Sequence, residues 1–151
     1  MTEIQHKLTT AQIAHKAADL ILDKKGQDLV VLDISAMTSS SLADYLVIAT
    51  GANKRQVQAI AEELDKQMKH AGVRRLSVTG RDYGWWVLVD LGDVLVHVMQ
   101  EDARRFYDLE SLWADAPIVR RVDGMSPEVL ARPDADSEPD PDEDPQPAPD
   151  A

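Results

Sequence analysis

One stretch limits the possible folds more than any other: Trp85 to Gln100, reading WWVLVDLGDVLVHVMQ. It divides into two apolar runs joined at Asp90-Leu91-Gly92-Asp93. Strands this hydrophobic need cover on both faces, so the pair belongs at the centre of a sheet flanked by helices. Strand side chains alternate between faces, which puts Val94, Val96 and Val98 on one side and Leu95, His97 and Met99 on the other. The same alternation predicts that Trp85 and Trp86 point in opposite directions.

The flanking segments supply the other layers. A helix is expected from about Thr10 to Lys25, opened by Thr9 and Gln12 at capping-box spacing and stopped by Gly26. Its apolar face is Ile13, Ala17, Leu20 and Ile21. Leu29–Ile34 and Asp44–Thr50 read as buried strands, separated by a polar loop at Ser35–Leu42. A second helix starts at Asn53, again with a glutamine three residues on. Val57, Ile60, Ala61, Leu64 and Met68 form its stripe, and Gly72 closes it. Leu76–Thr79 is a short strand, followed by a turn at Gly80–Gly84. Glu101 to Trp113 reads as a last helical region, with Phe106, Leu109, Leu112 and Trp113 laid on the sheet and Pro117 as its end. The expectation is an α/β fold with a mixed β-sheet of about five strands flanked by helices.

Charge separates the chain into two parts. The chain carries −11 overall, but residues 1–122 hold 17 acids and 15 bases, whereas residues 123–151 hold ten acids against Arg132 alone. Seven of the eight prolines also lie beyond Val122. A domain at 1–122 and a disordered acidic tail at 123–151 follow. A nearly neutral domain is a poor primary binder of phosphate backbones, so nucleic acid is not the expected partner. A basic protein is. The absence of cysteine removes disulfides, thiol catalysis and cysteine-bound zinc, and fits a reducing cytoplasm. No run has the length of a membrane span, and no signal peptide is expected at the N-terminus.

Candidate chemistry is sparse. Gly51 before a helix resembles a phosphate-binding turn, but GANKRQ lacks the glycine and lysine pattern of one, and a plain strand-to-helix connection is the better reading. Asp90 and Asp93 could hold magnesium as in nucleotidyltransferases, yet they flank Leu91-Gly92, as aspartates in turns often do. His97 has no sequence-placed partner for a triad and reads as a packed histidine. No metal or cofactor is called for. Tyr83, Trp85 and Trp86 are a concentration of aromatics beside a turn, the kind of group that anchors interfaces.

Four separated segments, DYLVIATG (44–51), RQVQAIAEEL (55–64), WVLVDLGDVLVHVMQ (86–100) and RRFYDLESLW (104–113), resemble the ribosomal silencing factor family in order and spacing. The resemblance covers about residues 10 to 117. It implies a fold related to nucleotidyltransferases without their catalytic carboxylates, and a homodimer when free. It further implies a non-enzymatic activity: docking on the large ribosomal subunit, on the ribosomal protein numbered fourteen, so that the small subunit is sterically blocked and translation is repressed in starvation. Trp86 aligns with the family's contact tryptophan, and Asp90, Leu91, Gly92 and Asp93 with the turn beside it. Tyr83 joins them as an adjoining aromatic, and Trp85 is a local choice. Two other readings stay open: an adaptor in large-subunit assembly, and a nucleotidyltransferase-like enzyme.

Overall fold

In the computed structural model, residues 8–37, 43–73 and 77–123 are described. Helix α1 (Thr10–Asp23) is opened by a complete capping box: the Thr9 hydroxyl accepts from the Gln12 amide, and the Gln12 side chain accepts from the Thr9 amide. Strands β1 (Gln27–Asp33) and β2 (Tyr45–Gly51) follow, then α2 (Lys54–His70). The short β3 (Ser77–Thr79) precedes β4 (Trp86–Asp90) and β5 (Val94–Gln100). The expected loop at 35–42 and strand at 76–79 extend outside the described residues at 38–42 and at Leu76, and the acidic tail lies outside them from residue 124.

The strands form one mixed sheet in the order β3-β4-β5-β2-β1-β6. β2 and β5 run parallel at its centre, and every other pair is antiparallel. The hydrophobic stretch therefore sits where it was expected, between β3 and β2. One face is buried under α1 and α2. There Ala17, Ile21, Val57, Ile60, Leu64 and Met68 meet Val31, Val47, Val89 and the valines of β5 on this face, Val94, Val96 and Val98. The opposite face holds Leu32, Leu46, Ile48, Trp86, Leu88, Leu95 and Met99, covered by the segment after β5.

That segment departs from expectation. A single helical region becomes two short helices, α3 (Glu101–Tyr107) and α4 (Leu109–Leu112), broken at Asp108 with a left-handed φ of 47°. The break rotates the inward face, so Phe106 (74% exposed) and Leu112 (71%) point to solvent, not onto the sheet. Tyr107, Leu109 and Trp113 pack inward instead.

A sixth strand, β6 (Ile118–Val122), then pairs antiparallel with β1. Its sequence, IVRRV, has no buried residue, so neither alternation nor a continuous apolar run announces it. Backbone pairing holds it: its ladder to β1 is extended by the Asp33 amide donating to Pro117 O at 3.0 Å. An ion pair from Arg120 to Asp19 of α1 adds a side-chain tie at 2.9 Å.

Gly51 has a packing role. A Cβ there would lie 2.6 Å from the Val57 side chain, so only glycine lets α2 close on the end of β2. Asn53 caps α2 through the Gln56 amide at 2.9 Å. The Gln56 side chain completes no reciprocal box. It reaches across to donate to the carbonyls of Lys24 and Lys25, joining the start of α2 to the end of α1.

Candidate partner-binding site

The six residues singled out from the sequence do not converge. Trp86 opens β4 and Asp90 closes it, which at strand rise separates them by roughly 13 Å. Trp86 belongs to the layer under α3, whereas Leu91 packs in the layer under α1 and α2. Tyr83 stands apart in the preceding turn and is 45% exposed.

The Asp90–Asp93 end is a turn closed by its own aspartate. Asp90 Oδ1 accepts from the Gly92 amide at 2.9 Å, and Gly92 adopts a φ of +91°, where a side chain would be strained. The Asp93 carbonyl accepts from the amides of Asp44 and Tyr45, which ties the turn to the start of β2. Asp90 thus closes its own loop, and Asp93 is exposed at the rim. Among the described residues no three His, Asp or Glu side chains are grouped to hold a metal ion.

The Trp86 end is more elaborate. Trp86 is only 5% exposed. Its Nε1–H donates to His97 Nδ1 at 2.8 Å, diagonally across the β4–β5 pair. Its ring also lies 4.5 Å from that of Tyr107. Tyr107 in turn contacts Phe106, edge to face at 4.9 Å. Trp85, expected on the opposite side, packs in the same layer and meets Tyr107 at 5.8 Å. The reason is that β4 begins at Trp86. Trp85 precedes the ladder, so strand alternation does not govern it.

An aromatic column therefore rises from the sheet: His97, Trp86, Tyr107, Phe106. Its inner end is buried and its outer end, Phe106, is solvent-facing. Sequence reasoning missed Tyr107 and Phe106, although Phe106-Tyr107 lies in one of the quoted segments. Helical spacing treated that segment as one face, and the break at Asp108 is a backbone property with no strong residue signal.

Arg104 fixes the base of α3. Its guanidinium is held by the Glu110 carboxylate at 3.0 Å through both Nε and Nη2, and donates from Nη1 to the Asp28 carbonyl and the Thr50 hydroxyl. One side chain thus joins α3, α4, β1 and β2. It lines an open groove of about 570 Å³ together with Thr50, Glu101, Arg105 and Arg121. The other arginines there are also engaged, Arg105 with Glu101 and Arg121 with Asp123.

Electrostatically, His97 is the distinctive group of this end. It is 4% exposed, and burial pushes its pKa down from 6.5 to about 4. Near neutrality the ring is uncharged, as an imidazole accepting at Nδ1 must be.

The chain is similar to known proteins over most of its length. The family model described as "Ribosomal silencing factor during starvation" matches residues 7–148, further at both ends than the four segments indicate. The ribosomal silencing factor RsfS of Bacillus subtilis is 44% identical over 115 residues, covering 76% of this chain and 93% of that protein. A Chromobacterium violaceum crystal structure superposes with a TM-score of 0.68 at 38% identity, covering 80% of this chain and 98% of that one. The mouse protein named "Mitochondrial assembly of ribosomal large subunit protein 1" is 30% identical over 97 residues, 62% of this chain and 42% of that protein. With a family model spanning nearly its whole length and a relative matched almost end to end, the chain belongs to the ribosomal silencing factor family.

Proposed function

We propose that this protein represses translation by occupying the large ribosomal subunit, on the ribosomal protein numbered fourteen, where it excludes the small subunit. It acts by occupancy and turns over no substrate. Affinity comes from protein contacts, not from the phosphate backbone, and the free protein is a cytoplasmic homodimer. The observation that carries the reading is the match to nearly the whole length of a ribosomal silencing factor. Two features of the molecule support it. The exposed end of the aromatic column offers an apolar anchor of the kind that dominates interface energetics. The near-neutral domain leaves carboxylates such as Asp93 available to complement a basic ribosomal protein.

The test is co-sedimentation with isolated large and small subunits, joined to a subunit-association assay. Selective binding to the large subunit, with loss of association in proportion to occupancy, is the expected result. Binding to neither subunit, or to both alike, counts against it. Trp86→Ala should weaken binding by about 2 kcal/mol. Because Trp86 is buried, circular dichroism must first establish that the variant folds.

A second reading is favoured by the name of the mouse relative: a role in assembling the large subunit. Sucrose gradients of a deletion strain separate the two. Accumulated precursors point to assembly, and normal subunits with poor adaptation to starvation point to silencing.

A further inference from the structure

The contact surface proposed above stands on a side chain that never reaches it. His97 lies at the centre of the sheet, opposite Leu88 on one side and Ile48 on the other, in a largely apolar layer. An indole N–H buried there has no water to bond with, and an unpaired buried donor is strongly disfavoured. The Trp86 indole satisfies its N–H by turning its nitrogen edge to His97 Nδ1, at 2.8 Å. That fixes the ring plane at 45° to the imidazole and 47° to Tyr107. From the other flank, Arg104 pins the helix that carries Tyr107.

We propose that His97 is the positioning residue of the partner-binding surface: by accepting from Trp86 it sets the indole plane against which Tyr107 and Phe106 are presented. Among the described residues, His97 Nδ1 is the acceptor that the Trp86 indole meets. Met99, directly opposite Trp86 in the ladder, has only a weakly accepting thioether. The acceptor requires the bare Nδ1, so the ring is the neutral Nε2–H tautomer.

The experiment uses the full chain and two substitutions. His97→Phe keeps a ring and removes the acceptor. His97→Gln keeps an acceptor and removes the ring. The chain has three tryptophans, so nitrogen–proton spectra give three indole signals, and that of Trp86 is assigned by its disappearance in Trp86→Phe. In His97→Phe the Trp86 indole proton should move and exchange faster with solvent. The Tyr107 ring signals should shift, and affinity for large subunits should fall about tenfold. His97→Gln should restore most of each loss. An unmoved indole proton in His97→Phe overturns the inference. So does a moved indole proton with unchanged Tyr107 signals, or with wild-type affinity. If His97→Phe does not fold, His97→Leu, which also lacks the acceptor and leaves the indole in place, takes its part, and its Trp86 and Tyr107 signals decide. The binding readout alone rests on the proposed partner. A wild-type protein that binds no subunit sinks that reading, while the spectra still decide the role of His97.

Discussion

At the scale of single residues, the buried histidine makes stability depend on pH in a defined direction. In the unfolded chain its pKa is near 6.5, and in the folded protein burial lowers it to about 4. The unfolded state therefore takes up the proton first as pH falls. The contribution is fully present above 6.5 and is lost progressively between 6.5 and 4. At pH 5 the loss is about 2 kcal/mol, using the standard conversion of about 1.4 kcal/mol per pH unit. Urea unfolding of wild type and His97→Phe at pH 7 and pH 5 isolates this term, because carboxylate effects are common to both. The wild type should lose more stability on acidification. Gly51→Ala makes a second residue-scale prediction: Val57 must shift to admit a Cβ, destabilising the protein by about 1–3 kcal/mol without touching the aromatic column. What the sequence showed at this scale was burial, not partnership. His97 was legible as a packed histidine because it shares a face with Leu95 and Met99. Its bond to Trp86 joins residues eleven apart, and strand register fixes that pairing while composition does not.

At the scale of elements, legibility followed periodicity. The stripe of α2, Val57, Ile60, Ala61, Leu64 and Met68, is buried residue for residue, and the two faces of β5 separate as alternation requires. Periodicity is silent where burial is absent, which is why β6 went unseen, and where a helix changes direction, which is why Phe106 was turned inward. The Arg104 hub spans the break between α3 and α4 through Glu110. Arg104→Ala should destabilise the protein by about 2–3 kcal/mol, the scale of charged hydrogen bonds left unmade. Hydrogen exchange should quicken in α3 and α4 while α2 stays protected. The outer strand carries its own safeguard. β6 bears a register shift against β1 between Val31 and Leu32, and its middle residues are Arg120 and Arg121. Bulges and charges are how natural edges avoid pairing with other chains. Replacing both arginines with threonine should raise light scattering at fixed concentration, and unchanged scattering would show that the edge is guarded by other means.

At the scale of the whole molecule, an almost balanced domain is followed by a segment with ten acids and one base. If that segment contributes only solubility and charge, truncation after Val122 should leave both the unfolding midpoint and the preference for large over small subunits unchanged. A drop in that preference would instead assign the tail a part in choosing the target. The six-stranded sheet ends on one side in three residues of β3 and on the other in the bulged, arginine-bearing β6. Among the described residues, neither border is a long, flat template for another strand. Both features disfavour main-chain pairing, which accepts almost any sequence, as a way of associating. Association through side chains on the broad surfaces is favoured instead, and there a single altered residue changes who fits. A protein built this way can be retuned to a drifting partner one substitution at a time, with its scaffold left untouched.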